Sequence, residues 1–152
     1  RERTEHMYSR IVLPLDLSEH SRQKVDAAVH LAGKYGASIH AVGILGPGEK
    51  DDKKKMEVIL KQVTKACEKG EVNSKTEILI APKNRSLSTL QYAKKVKGDL
   101  IMIMSDQETE FSGLLLGPYA HQVINHSGIP VICFKPEIHP ERMSWTEVGS
   151  YD

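Results

Sequence analysis

The sequence has little net charge of one sign and few aromatic side chains. Lysine and arginine total 21 against 20 aspartate and glutamate residues, which leaves a formal net charge of +1, and aromatic residues make up 5% of the 152 positions. Without a positive field or a basic face interleaved with aromatics, the chain has no electrostatic means of attracting nucleic acid or an acidic membrane. We therefore expect no nucleic-acid partner.

Cysteine is scarce, and long apolar runs are absent. The two cysteines, Cys67 and Cys133, fall at positions that the apolar periodicity assigns to the core. Two buried thiols suit a reducing cytosol better than a disulfide scaffold. No run approaches the roughly 18 apolar residues that a membrane span needs, and the opening "RERTEH" lacks the apolar stretch of a signal peptide. These features predict a cytoplasmic protein without direct membrane insertion. The first methionine is Met7, which leaves open an excised module or a tagged chain.

Phosphate loops and catalytic groupings are missing as well. No G-x-x-x-x-G-K-[ST] occurs, so a Walker-type phosphate loop is excluded. The turn after the first apolar run reads "LDLSEHS" and contains no Ser-Gly-Gly pyrophosphate loop of the kind found in ATP-cleaving enzymes. The stretch "GILGPG", with Gly43, Gly46 and Gly48, has the wrong spacing for a dinucleotide loop and leads into a charged run, which predicts a plain turn. His121 and His126 lie about 140° apart around one helix, too far to share a metal easily. We predict no catalytic set and no metal site.

What the chain does contain is a regular alternation of apolar runs and amphipathic stretches. The runs predict five strands: "RIVLPL" at 10–15, "ASIHAVGIL" at 37–45, "SKTEILIA" at 74–81, "DLIMIM" at 99–104 and "PVICF" at 130–134. Apolar residues at helical spacing predict four helices between them: Val25, Ala28, Val29 and Ala32; Met56, Ile59, Leu60, Val63, Ala66 and Cys67; Leu87, Leu90, Ala93 and Val96; and Leu116, Ala120, Val123 and Ile124.

Polar residues and glycines bound the predicted helices. Ser18 is expected to cap the first helix, with Glu19 in its first turn, where a carboxylate favours the helix dipole. Gly36 is expected to end that helix. Ser86 or Ser88 is expected to start the third helix.

The order of the elements predicts the fold class. Strands that alternate with helices of this length require right-handed crossovers and a parallel sheet covered on both faces. The near-continuous apolar strands agree, since strands buried on both faces do not alternate. We predict an α/β domain at 9–135, preceded by an N-terminal extension at 1–8 and followed by a tail at 136–152, whose Trp145 we expect to pack on the domain or on a dimer partner.

Two of the predicted strand-to-helix turns carry acid. In an open parallel sheet these turns are where anions usually bind, because backbone N–H groups and the helix dipole converge there. Asp16 ends the first strand and is either a ligand-binding carboxylate or a cap of the first helix. The segment "MSDQETEFSGLLLGP" at 104–118 carries Asp106, Glu108 and Glu110, which would repel phosphate.

These segments resemble the universal stress protein family. The stretch "RIVLPLDLSEHSRQKVDAAVHLAGKYGASIHAVGIL" is similar to the opening of such domains, with Pro14, Asp16 and Ser18 in the first strand-to-helix turn. The stretches "QYAKKVKGDLIMIMSDQ" and "LLLGPYAHQVINHSGIPVICF" resemble the second half, including the Leu-Leu-Leu-Gly run and the last strand rich in proline and valine. The likeness covers roughly 9–135.

The resemblance implies a particular topology and assembly. The fold would be an open five-stranded parallel sheet of the adenine nucleotide alpha hydrolase-like type, with strand order 3-2-1-4-5 and helices on both faces. The protein would be a homodimer joined along the fifth strands. The residues implied at that junction are Pro130, Val131, Ile132, Cys133 and Phe134.

The resemblance also implies the positions of a nucleotide site. Nucleotide-binding members hold ATP with a Pro-x-Asp in the first strand, an apolar residue late in the second, and a loop of the form G-x-x-G-x9-G-[ST]. By position these are Pro14, Leu15, Asp16, Ile44, Met104, Gln107, Gly117 and Pro118. In the loop only Gly117 keeps the family residue.

The departures in the loop favour a member that does not bind ATP. Met104 and Gln107 bring side chains where the backbone must approach phosphate, and Pro118 removes both a backbone N–H and a hydroxyl donor. We predict a dimeric interaction or regulatory module with an unknown protein partner and no cofactor. One alternative is a stress sensor that binds ATP or AMP, with weak or no hydrolysis and Mg²⁺ bridging the acidic loop to phosphate. The other is the cytosolic regulatory domain of a membrane transporter.

Overall fold

The computed structural model describes residues 8–105 and 117–135, so only the two ends of segment 104–118 are seen and the tail with Trp145 lies outside the description. The described strands are β1 (Arg10–Leu15), β2 (Ser38–Leu45), β3 (Ser74–Ile80), β4 (Leu100–Met104) and β5 (Val131–Phe134). The described α-helices are α1 (Val25–Tyr35), α2 (Lys53–Lys69), α3 (Arg85–Lys95) and α4 (Pro118–His126), and short 3₁₀ turns cover His20–Arg22 and Pro47–Asp52. No helix in these ranges is long and apolar enough to cross a membrane.

The strands form one parallel sheet in the order β3-β2-β1-β4-β5, as predicted. β1 lies at the centre and pairs with β2 from Arg10↔Ser38 to Leu15↔Gly43. Its pairing with β4 is shorter and runs from Ile11↔Leu100 to Val12↔Ile101. Parallel strands need crossover connections, so a helix between successive strands returns the chain to the end of the sheet at which the strands begin.

The helices cover both faces of the sheet and bury two separate cores. Alternate residues of β1 point to opposite faces, so Ile11 and Leu13 join one core and Val12 joins the other. α1 and α2 pack on the first face, and α3 and α4 pack on the second. The continuous apolar character of the strands therefore has the origin expected from the sequence, which is burial on both sides.

The first helix begins later than predicted. The expected cap, Ser18, donates both its N–H and its hydroxyl to Oδ1 of Asp16, and the turn His20–Arg22 follows before α1 starts at Val25. Because α1 starts only at Val25, Ser18 lies too far before the helix to accept from its first N–H groups. The predicted end was correct, since Gly36 has a left-handed backbone with φ of 65°.

α3 starts at Arg85, one residue before the earlier of the two predicted starts, and its buried face was predicted in part. Asn84 caps the helix by accepting from the N–H of Leu87 at 2.8 Å, in place of Ser86 or Ser88. Leu87, expected in the core, is 49% exposed. Ala93 is buried as predicted, and Leu90 and Val96 are partly buried against the second core. The other residues that α3 buries are polar or aromatic: Ser86, Ser88, Thr89 and Tyr92. In α4, Ala120 and Val123 are buried as predicted, but Ile124 is 40% exposed.

The charged run after β2 is helical, whereas the sequence predicted a plain turn there. Gly46 donates its N–H to Oε1 of Glu49 at 2.8 Å, and the turn Pro47–Asp52 passes directly into α2. Gly43 belongs to β2 and allows close packing, because a Cβ there would collide with the side chain of Met56. The glycines therefore shape a strand end and a helix start.

The two cysteines have different environments. Cys67 is buried in α2, and burial raises the pKa of its thiol, so it serves as a packing residue. Cys133 was also expected in the core but is only half-buried. The difference arises because β5 is an edge strand of the described sheet and has β4 on one side.

His40 is a polar side chain inside β2. It is 8% exposed, its Nδ1 has no hydrogen-bond partner, and its Nε2 lies 3.3 Å from the hydroxyl of Ser38. Burial lowers the pKa of His40 below its ordinary 6.5, and the positive charges of Arg10 and Lys75 lower it further. The folded protein therefore holds this imidazole neutral.

We expect His40 to weaken the fold as the pH falls. Below about pH 6.5 the unfolded chain binds a proton that folded His40 resists, so stability present at neutral pH is lost through this range. The free energy of unfolding, from urea titrations at pH 7.5 and 5.5, should fall less in His40→Leu than in the unchanged protein. An equal fall in the two proteins would assign the acid sensitivity to other groups.

Candidate functional site

Pro14 marks the point at which β1 and β4 separate. The carbonyl of Arg10 accepts the N–H of Asp99, so the backbone groups of residues 10, 12 and 14 face β4. Pro14 has no N–H to donate, and the pairing of the two strands ends at Val12↔Ile101. Beyond this point α1 follows β1 on one face of the sheet and α4 follows β4 on the other. The diverging strand ends leave room for a ligand at the reversal of strand order.

A cavity of about 440 Å³ occupies this position. Its size falls within the range of small-molecule sites in proteins. The residues that line it come from the ends of β1, β2, β3 and β4 and from the starts of α1, α3 and α4: Pro14, Leu15, Asp16, Ser21, Lys24, Ile44, Gly46, Pro47, Ala81, Lys83, Asn84, Arg85, Ser86, Ile103, Met104, Pro118, Tyr119 and Gln122.

The cavity brings together most of the positions named by resemblance. Its lining includes Pro14, Leu15, Asp16, Ile44, Met104 and Pro118. Gly117 directly precedes α4 and has φ of 82°, a conformation that favours glycine. Gln107 lies outside the described residues, as do Asp106, Glu108 and Glu110.

Of the two roles that the sequence left open for Asp16, the cap of α1 is not observed. Its carboxylate accepts the N–H of Ser18 at 2.8 Å and also the hydroxyl of Ser18, so it stabilises its own turn and does not cap α1. The same residue lies on the cavity wall. A ligand in the cavity would therefore meet a carboxylate that the turn holds in place.

Lys24 is a cavity residue that the sequence analysis missed. Its side chain is buried, with 2% of the residue exposed, and its Nζ donates to the carbonyl of Ser21. Burial lowers the pKa of Lys24 from 10.5 to about 7, and the charge of Asp16 only partly opposes this. Lys24 lies four positions before Ala28 in sequence, so a lysine on the apolar stripe of the helix was the available signal.

The connection from β3 to α3 supplies the other cations of the site. Lys83 and Arg85 line the cavity, and Arg85 forms an ion pair with Glu49, whose carboxylate also accepts the N–H of Gly46. This pair ties the turn after β2 to the start of α3 at the rim of the cavity. Both side chains are partly exposed, so the pair fixes geometry more than it adds stability.

A hydroxyl contact joins α3 to α4 near the same wall. The hydroxyl groups of Thr89 and Tyr119 are 2.8 Å apart, and Thr89 also donates to the carbonyl of Arg85. Tyr119 lies in the first turn of α4 and lines the cavity. The contact therefore holds the start of α4, where segment 104–118 ends, against α3.

The chemistry available at the cavity is that of a buried amine, a carboxylate, the two further cations Lys83 and Arg85, and an apolar surface. Within residues 8–105 and 117–135, no group of three histidine, cysteine, aspartate or glutamate side chains could hold a metal ion. His121 and His126 are exposed on α4. Among the described residues, the lining contains neither histidine nor cysteine. The arrangement can bind a small, partly apolar ligand.

These features define an open, doubly wound α/β domain with a ligand-sized cavity at its switch point. The sequence profile of the universal stress protein family matches residues 7–135, and the chain belongs to that family. A universal stress protein of Methanocaldococcus jannaschii is 29% identical over 146 residues, covering 86% of this chain and 84% of that protein.

Solved structures of the same family share the fold. A universal stress protein in complex with cAMP is 20% identical, with a TM-score of 0.70, over 85% of this chain and 98% of that one. A universal stress protein of Archaeoglobus fulgidus in complex with dAMP is 21% identical, with a TM-score of 0.66, over 84% of this chain and 98% of that one. At these identities the similarity establishes the strand order and the helix arrangement.

We expect replacement of Lys24 by methionine to stabilise the protein most at and below neutral pH. Between about pH 7 and 10.5 the unfolded chain keeps a proton that folded Lys24 has released, so the stability of the unchanged protein rises with pH. At about 1.4 kcal/mol per pKa unit, the gain in Lys24→Met has a ceiling of about 5 kcal/mol near pH 6. It should shrink toward pH 10 in urea titrations.

A matched control uses the same change at an exposed lysine of the same helix. Lys34→Met should leave the free energy of unfolding nearly unchanged at every pH. If the difference between Lys24→Met and the unchanged protein does not vary with pH, the buried amine is not the cause.

Proposed function

We propose that this chain is a universal stress protein domain that acts as a dimeric regulatory module and does not use ATP. The observation that carries the proposal is the composition of the cavity wall at the end of β4 and the start of α4. There, Met104 and Pro118 occupy positions at which nucleotide-binding relatives are expected to have glycine and serine or threonine.

Met104 limits the approach of a phosphate to the backbone. It ends β4, is 5% exposed and lines the cavity, so its side chain fills space against the wall. A phosphate group held by a loop is bound through closely approaching N–H groups, which a glycine allows and a side chain obstructs. The cavity is therefore better suited to an uncharged group at this end.

Pro118 removes donors from the start of α4. It is the first residue of the helix and has no N–H, so this helix start presents fewer donors to an anion than a start without proline. A serine or threonine at this position would also supply a hydroxyl. The loss weakens the part of the site that would hold the terminal phosphates.

The sequence of the intervening loop adds repulsion. Asp106, Glu108 and Glu110 place three carboxylates in the segment that would close over phosphate. Two like charges at about 6 Å interact by roughly 3 kcal/mol with an effective dielectric constant near 20, and exposure reduces this. Even about 1.4 kcal/mol is a tenfold loss of affinity.

A second candidate function is the sensing of a nucleoside monophosphate. Pro14, Asp16 and Ile44 line the cavity as they would in a nucleotide-binding member, and Lys83 and Arg85 bring positive charge to its other side. Two relatives of the same fold were solved with cAMP and with dAMP. A monophosphate would depend less on the loop than ATP does, with or without Mg²⁺ at the acidic residues.

We expect Mg-ATP to bind more weakly than about 1 mM in a calorimetric titration, because the donors and backbone access for the phosphates are reduced. AMP titrated in parallel separates the two candidates: binding of AMP without ATP favours the monophosphate sensor. Micromolar affinity for Mg-ATP would contradict the main proposal.

Repair of the loop tests where the deficit lies. The full variant combines Met104→Gly, Gln107→Gly, Pro118→Ser, Asp106→Asn and Glu108→Gln, and it should gain at least tenfold in ATP affinity. The matched variant Asp106→Asn with Glu108→Gln removes charge but restores no donors, and it should gain less. A folded full variant with no gain would place the defect elsewhere in the cavity.

The two edges of the sheet support dimerisation through β5. β3 presents Lys75, Thr76 and Glu77 along its length, which protect an edge from pairing, whereas every residue of β5 is apolar and half-buried. The carbonyls of Pro130 and Phe134 accept from β4, so the backbone groups of the alternate residues of β5 point away from the sheet. This edge is the surface we propose for a symmetric partner.

We expect light scattering at micromolar concentration to give a dimer, and Val131→Pro to give a folded monomer. The N–H of Val131 points away from β4, so proline there removes an outward donor while β4 keeps its bonds. The control Val131→Ala keeps the donor and should remain dimeric. A monomeric unchanged protein, or a dimeric Val131→Pro, would rule out pairing through this edge.

A further inference from the structure

Lys24 is a reactive group in the cavity to which neither regulation nor nucleotide binding assigns a role. Its residue is 2% exposed to solvent, yet it lines a cavity of about 440 Å³. Its Nζ donates to the carbonyl of Ser21, which fixes the amine at the start of α1. Within the described residues, the charged groups that share the cavity are Asp16 after β1, Lys83 from the connection between β3 and α3, and Arg85 at the start of α3.

Burial gives this amine a protonation state that an exposed lysine does not have. With a pKa of about 7, lowered by burial against the opposing charge of Asp16, roughly half of the Lys24 side chains are neutral at pH 7. At the ordinary value of 10.5, only about one amine in 3,000 is neutral at that pH. The neutral amine carries the lone pair that attacks a carbonyl carbon, so Lys24 is activated by desolvation.

We propose that Lys24 captures small aldehydes covalently as an imine inside the cavity. The Nζ lone pair forms a C–N bond to the aldehyde carbon while the carbonyl π electrons move to oxygen. A proton passes from nitrogen to that oxygen to give a carbinolamine. Protonation of the hydroxyl, departure of water and loss of the remaining N–H proton give C=N, so one water is released for each aldehyde bound. No oxidant or reductant is consumed.

The surroundings of the amine favour an apolar aldehyde over a polyanion. Pro14, Leu15, Ile44, Ala81, Ile103 and Met104 supply apolar surface to the same cavity. The cavity is large enough for an aliphatic or aromatic aldehyde of several carbons, and burial of Lys24 keeps water away from the amine at which dehydration occurs. The proposal does not depend on the absence of ATP binding, since it concerns the amine and not the phosphate end.

The test uses butanal as the aldehyde and sodium cyanoborohydride to reduce each imine to a stable secondary amine, followed by peptide mapping by mass spectrometry. At pH 7 and low butanal concentration, Lys24 of the unchanged protein should be modified at least about tenfold faster than Lys34, which is exposed at the end of α1. Relative to Lys34 at each pH, the advantage of Lys24 should be large at and below about pH 7 and decline toward pH 10.

Two variants separate the site from general lysine chemistry. Lys24→Met, checked for folding by circular dichroism, should lose the fast modification, and Lys34→Met should retain it. Modification of exposed lysines before Lys24, or an advantage of Lys24 that does not change with pH, would overturn the proposal. The result is independent of the ATP titration: a protein that binds ATP can still show rapid modification of Lys24, and one that does not bind ATP can fail to show it.

Discussion

The site depends on one missing hydrogen-bond donor in the central strand. Pro14 faces β4 without an N–H, and the pairing of β1 with β4 stops before it. Proline is unusual in a central strand, because it removes an N–H that would donate a hydrogen bond to the neighbouring strand. Here the next residues of β1 and β4 lead to helices on opposite faces, so the interruption falls where the strands must separate. The cavity is the space left by that separation.

The buried strands were predictable from the sequence because burial on both faces leaves a strong apolar signal. β1, β2 and β4 were identified within a residue of their observed bounds. Helix starts were less predictable, because several short polar side chains near a turn can bond to nearby backbone groups. Ser18 bonds to Asp16 in a turn that precedes α1, and Asn84, not Ser86, accepts the N–H of Leu87 and caps α3.

The cavity was predictable only in part, for a different physical reason. Pro14, Asp16 and Ile44 follow strand ends, whose position in a parallel sheet is implied by the order of elements. Lys24 and Arg85 could be assigned to the cavity only once the packing of α1 and α3 was known. A buried charge is recognised by its surroundings, and these come from segments distant in sequence. Burial of Lys24 also opposes stability, which is typical of groups retained at functional sites.

At the rim of the cavity, Glu49 competes with any anionic ligand for Arg85, because the two side chains form an ion pair. An anionic ligand that binds Arg85 must first displace the carboxylate of Glu49, which the N–H of Gly46 holds in place. Added salt weakens the attraction of the ligand, but it weakens the resident pair as well. The two effects partly cancel, so the rim would discriminate among ligands by shape and charge distribution more than by ionic strength.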